Sequence, residues 1–207
     1  MQHIFWLDDE FDFLGDILRI GSKYGLTKQS LLEKVTFAFD YEMGADIISK
    51  KQFDVYILDA DFFNRTTQQY KNNAREFLQN VTADMCVVDC FHAYPEGFDH
   101  CMVRMAPVYE DCNFVRFYNE HLKPLNVKTV IFSVSLYAPI VAYHLGLPFY
   151  AKGLTKEVLQ EHVEDNMFDD IPLRYLKDSN IRKPSSFLQY WESGSREELI
   201  QRYLTVP

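Results

Sequence analysis

Four short apolar runs in this chain each end on a polar residue capable of chemistry. Residues 3–7 run into Asp8 and Asp9, residues 55–61 read VYILDAD and bring Asp59 to the end of their apolar part, residues 129–132 run into Ser133, and residues 148–151 run into Lys152. A continuous apolar run suits a strand buried on both faces of a parallel sheet, because flanking helices leave no solvated face for alternation. Ligand chemistry in open α/β sheets gathers at the carboxyl ends of the strands. If the four strands are parallel in one sheet, two adjacent acids, a third acid, a hydroxyl and an amine converge on one edge.

The intervening pattern predicts what covers that sheet. Residues 12–23 carry Phe13, Leu14, Ile17, Leu18 and Ile20 at helical spacing, and Tyr24-Gly25 closes the segment. Residues 34–41 (KVTFAFDY) alternate as a strand does, and Ala45, Ile47 and Ile48 predict a short helix before the central strand. The first sixty residues thus read β-α-β-α-β, which calls for a right-handed, doubly wound parallel sheet. The alternation then stops, since far more residues separate Asp59 from Ser133 than one crossover helix requires. Residues 68–81 are polar and helix-prone, 85–94 (MCVVDCFHAY) are apolar and undecided between helix and strand, and 107–122 form a helix leading into the next strand. Residues 64–106 are therefore expected to be an insertion, with 107–122 as the third crossover helix.

Beyond Ser133, a short helix over 139–145 ends at Gly146 and leads to the last strand. Thr155 caps a helix that turns Val158, Leu159 and Val163 inward. Residues 186–191 make a helical turn, and Ser195 to Glu198 form a capping box opening a helix through Leu199, Ile200, Tyr203 and Leu204. The domain is expected over 1–168, with 169–207 a helical extension docked on it.

Composition narrows the function classes. A formal charge of −9 argues against broad attraction to nucleic-acid phosphates. No apolar run is long enough to span a bilayer, and the opening MQHIFWLDDE lacks the features of a signal peptide, so a cytoplasmic protein with no membrane partner is expected. Cys86, Cys90, Cys101 and Cys112 share one central segment and read as free thiols of a reducing compartment. Cys86, Cys90, His92, His100 and Cys101 could ligate zinc, but the close CxxC pairs of most structural sites are missing.

Three carboxylates drawn together disfavour one another's ionisation, and a divalent cation removes that penalty. Oxygen ligands from Asp8, Asp9 and Asp59 with a nearby backbone carbonyl suit Mg²⁺. A carboxylate beside Mg²⁺ can attack phosphorus, while Ser133 donates to one phosphoryl oxygen and Lys152 pairs with another.

In this order the residues resemble the receiver domains of two-component response regulators. Asp8-Asp9 is similar to the family's acidic pair, Asp59 to its phosphoacceptor, Ser133 to its switch hydroxyl and Lys152 to its lysine. Phe149 falls where the family often has a rotating aromatic, and Asp61 where a backbone carbonyl binds the metal. The resemblance implies a five-stranded, flavodoxin-like topology, Mg²⁺ as cofactor, a histidine kinase or phosphotransfer protein as donor, and output through a downstream protein partner. Gly153 stands where the family usually has proline. Val134 stands where the family usually has Ala or Gly after the switch hydroxyl, and a branched side chain there would narrow access to the phosphoryl group. Two alternatives remain open: a phosphorylation-independent interaction module, and a phosphatase of the haloacid-dehalogenase kind with Asp61 as general acid. In that phosphatase family the acidic pair comes last in the chain, whereas here it comes first.

Overall fold

The computed structural model of the chain describes residues 2–11, 13–60, 62–83, 113–133, 138, 142, 145–152 and 194–205. Five parallel strands form one sheet in the order β2-β1-β3-β4-β5: β1 Ile4–Leu7, β2 Val35–Ala38, β3 Val55–Leu58, β4 Thr129–Ser133 and β5 Phe149–Ala151. This is the flavodoxin-like, doubly wound α/β fold.

Successive side chains along each strand enter opposite layers. Ile4, Trp6, Val55, Ile57, Val130, Phe132 and Tyr150 lie in one core, and Phe5, Leu7, Tyr56, Leu58, Ile131, Phe149 and Ala151 lie in the other. Both layers are apolar, which is why the strands read as unbroken apolar runs.

The first layer is closed by α1 (Leu14–Ser22), α2 (Lys28–Lys34) and α4 (Gln68–Asn80), and the second by α3 (Tyr41–Lys50) and α5 (Asn113–Phe117). Helix α5 continues through a π-helical turn, Tyr118–Leu122, and a 3₁₀ turn, Lys123–Leu125, that ends on Asn126 in the left-handed conformation. Ala142 and Leu145 are helical, and Gly146 at φ 69° turns the chain toward β5.

Helix α2 departs from the expected β-α-β-α-β order. Thr27 and Ser30 cap it reciprocally, and Leu31 is its one buried apolar side chain, too sparse a pattern to announce a helix. The strand expected over 34–41 is correspondingly shorter, since Lys34 closes α2 and Tyr41 opens α3.

The C-terminal helix α6 (Arg196–Leu199) opens on the expected capping box at Ser195 and continues through a π-helical turn, Ile200–Leu204. Leu199, Ile200, Tyr203 and Leu204 are buried in the same core as Trp6 and Leu14. Just before it, Gly194 lies against the outer edge of β5, its carbonyl accepting from Ala151 N at 3.1 Å and its N–H donating to Phe149 O at 3.0 Å. A Cβ there would stand 2.2 Å from the Tyr150 ring, so only glycine admits this approach. Among the described residues, no helix is long and apolar enough to cross a membrane. The expected elements over 85–94, 153–163 and 186–191 lie outside the described residues.

Candidate functional site

The parallel register sets the carboxyl ends of β1, β3, β4 and β5 side by side, and Asp8 and Asp9 after β1, Asp59 after β3 and Lys152 after β5 meet in one cluster. Asp8 N donates to Ala38 O and Asp59 N to Leu7 O, so both acids leave the sheet on its own hydrogen-bond ladder. Lys152 N donates to Ser133 O at 3.0 Å, which ties the ends of β4 and β5 together in the same way.

One carboxylate oxygen each from Asp8, Asp9 and Asp59 lie within 4.8 Å of one another. The Lys152 ammonium sits 2.7 Å from Asp8 Oδ2 and 3.1 Å from Asp59 Oδ2. The other Asp8 oxygen accepts from Glu10 N at 3.0 Å, Trp6 Nε1 donates to Asp8 Oδ2 at 3.3 Å, and Ala60 N donates to Asp59 Oδ1 at 2.7 Å. Lys152 also lies 4.7 Å from the centre of the Phe13 ring, whose π face favours a cation. Asp8, Asp9, Asp59, Ser133 and Lys152 are each at most 4% exposed. The cluster is therefore a desolvated one.

Burial has opposite effects on the two kinds of charge. It pushes the Asp8 and Asp9 carboxyls well above the usual range; for Asp9 the neighbouring Asp59 and Asp8 push the same way, whereas Lys152 works against the rise at Asp8. Burial also disfavours the Lys152 ammonium, but Asp59, Asp8 and Glu10 outweigh it and raise the lysine above its ordinary value. Three carboxylates against one ammonium leave two negative charges when all are ionised. Hard oxygen donors with that surplus fit a small divalent cation, which takes carboxylate oxygens and keeps its waters.

The structure thus gathers Asp8, Asp9, Asp59 and Lys152, and places Ser133 at the end of the neighbouring strand. Phe149 is buried in the second core. Asp61, Val134, Gly153, the four cysteines, His92 and His100 lie outside the described residues.

Two further residues bear on this edge that strand-end reasoning does not single out. Asp40, fully buried after β2, caps α3 by accepting from Met43 N at 2.7 Å; its Oδ2 accepts from Thr66 N at 2.8 Å and Thr66 Oγ1 at 2.6 Å and pairs with Lys71 Nζ at 2.8 Å. An aspartate before a helix is a recognisable cap, but the expected strand over 34–41 conceals it. Tyr70 of α4 donates to the backbone carbonyl of Asp9, a contact between residues 61 positions apart that no local pattern announces.

No family model, curated protein or solved structure matches the chain.

Proposed function

We propose that the chain is a phosphorylation-controlled signalling receiver, in which Asp59 accepts a phosphoryl group from a histidine kinase or phosphotransfer protein and output passes through protein contacts, in the cytoplasm. The observation that carries this reading is the buried group of Asp8, Asp9 and Asp59 with the Lys152 ammonium bridging two of its carboxylates. Asp8, Asp9 and Asp59 would hold Mg²⁺, joined by the backbone carbonyl of Asp61. Bound there, Mg²⁺ would neutralise the carboxylates and draw charge from the phosphoryl oxygens.

The protein's own groups divide the remaining work. An oxygen of Asp59 supplies the electron pair of the new O–P bond, while the bond from phosphorus to the donor breaks and its pair leaves with the donor group. The backbone N–H of Ala60 holds one Asp59 oxygen and so fixes the plane of the carboxylate. Lys152 loses a partner when Asp59 is esterified and can turn its ammonium to a phosphoryl oxygen instead. Ser133, at the end of β4, supplies a hydroxyl to another.

Intact-mass measurement after incubation with Mg²⁺ and acetyl phosphate tests this. The expected result is the gain of one phosphoryl group in wild type and none in Asp59→Asn. No gain with small donors or with histidine kinases would point to the phosphorylation-independent module. Sustained phosphate release from small esters, lost in Asp61→Asn, would point to the phosphatase.

A further inference from the structure

Helix α4 is placed where it can act on the acidic edge. After β3 the chain passes over the start of α3, with Tyr41 N donating to Phe63 O at 2.9 Å and Glu42 N to Asn64 O at 3.2 Å. Thr67 then caps α4, whose Ala74, Phe77 and Leu78 pack into the α1 layer. The first turn of α4 is tied down twice at the carboxyl edge, by Lys71 to Asp40 at 2.8 Å and by the Tyr70 hydroxyl to the carbonyl of Asp9. At its far end, Lys28 Nζ donates to Gln79 O at 2.7 Å. The helix is thus clamped at both ends, and the hydrogen bond from Tyr70 to the acidic pair falls on main chain that carries a carboxylate of the cluster.

We infer that Tyr70 is a positioning residue for the divalent cation: by holding the Asp9 carbonyl it fixes where the Asp9 carboxylate stands, so that α4 sets the cation affinity of the site. It rests on the receiver reading, and specifically on Mg²⁺ at Asp8, Asp9 and Asp59. Mg²⁺ demands near-octahedral ligand geometry, so a ligand loop free to shift costs affinity even when every ligand remains. Groups that orient ligands rather than ligate are commonly worth about 10-fold or more in metal affinity. The arrangement also gives α4 a regulatory consequence. A partner that draws α4 away from the edge lowers cation affinity, and by linkage bound cation strengthens the docking of α4.

Tyr70→Phe keeps the ring and removes only the hydroxyl, so the packing of α4 is preserved. Mg²⁺ titration of full-length wild type and variant, read by Trp6 fluorescence and by the rise in thermal midpoint with Mg²⁺, decides the matter. The expected result is about a 10-fold weaker Mg²⁺ affinity in the variant and a smaller Mg²⁺-induced rise, with metal-free midpoints close together. Equal affinities, with any loss of midpoint the same with and without Mg²⁺, would overturn the positioning role and leave the receiver reading standing. Wild type that binds no Mg²⁺ would overturn both.

Discussion

A lone buried acid and a cluster of them stand at the same edge of the sheet and are treated in opposite ways. Asp40, after β2, is surrounded by donors: a helix N–H, the N–H and hydroxyl of Thr66, and the ammonium of Lys71. Burial alone would raise its pKa, but those donors outweigh it and hold the carboxyl below its usual range. Asp8 and Asp9, after β1, are more heavily desolvated, and burial raises their pKa values; neighbouring carboxylates add to the rise, and the one lysine among them does not offset it. A buried acid that the fold fully compensates serves the fold. A group of acids left short of positive charge can hold a cation, which on the proposed reading is Mg²⁺.

The largest effect that would break this contrast is at Asp40. Asp40→Ala removes the cap of α3, unties Thr66 and strands Lys71, and should cost about 3 kcal/mol in urea unfolding. A cost below about 1 kcal/mol would mean that the network is dispensable.

Removing a carboxylate from the other group should have the opposite sign. Asp9→Asn is expected to stabilise the metal-free protein at neutral pH by on the order of 1–2 kcal/mol, because it deletes a buried charge without deleting a paired one. The pH dependence follows from the direction of the shifts. With the folded pKa of Asp9 above the unfolded one, the stability it confers is complete below the unfolded value and is lost as pH rises through the folded value. The advantage of the variant should therefore vanish in acid and grow toward neutrality. Asp40 runs the other way: its contribution is present above the unfolded pKa and is lost as pH falls through the lowered folded value.

The smallest effect sharpens the contrast from outside the edge. Asp16 of α1 pairs with Arg19 and with Arg196 of α6, both at 2.6 Å, but at a half-buried position. Arg196→Ala should cost only about 0.5 kcal/mol, and a much larger loss would show that this pair anchors α6 more than its apolar side chains do.

The sequence displays the sheet and the acids for one physical reason. A strand covered on both faces must be apolar throughout, so IFWL, VYIL and TVIFS stand out and the polar residues that end them are conspicuous. Asp8, Asp9, Asp59, Ser133 and Lys152 are legible on that account. The ties across the edge are not. Tyr70 to Asp9 and Lys71 to Asp40 join residues far apart in the chain, and a polar helix such as α4 shows its apolar stripe without showing which layer receives it. Helix α2 is hidden because Leu31 is its one buried apolar side chain, and the expected strand over 34–41 obscures both its end and the cap at Asp40.

With all three ionised, the Asp8, Asp9 and Asp59 carboxylates and the Lys152 ammonium leave the cluster two positive charges short. The most direct measurement is the thermal midpoint of wild type and Asp9→Asn, with and without millimolar Mg²⁺, at about pH 5 and about pH 8. Mg²⁺ is expected to raise the wild-type midpoint, more at the higher pH where the carboxylates must be ionised to bind, and to leave Asp9→Asn nearly unmoved. A wild-type midpoint indifferent to Mg²⁺ at both pH values, or an equal rise in the variant, would contradict it.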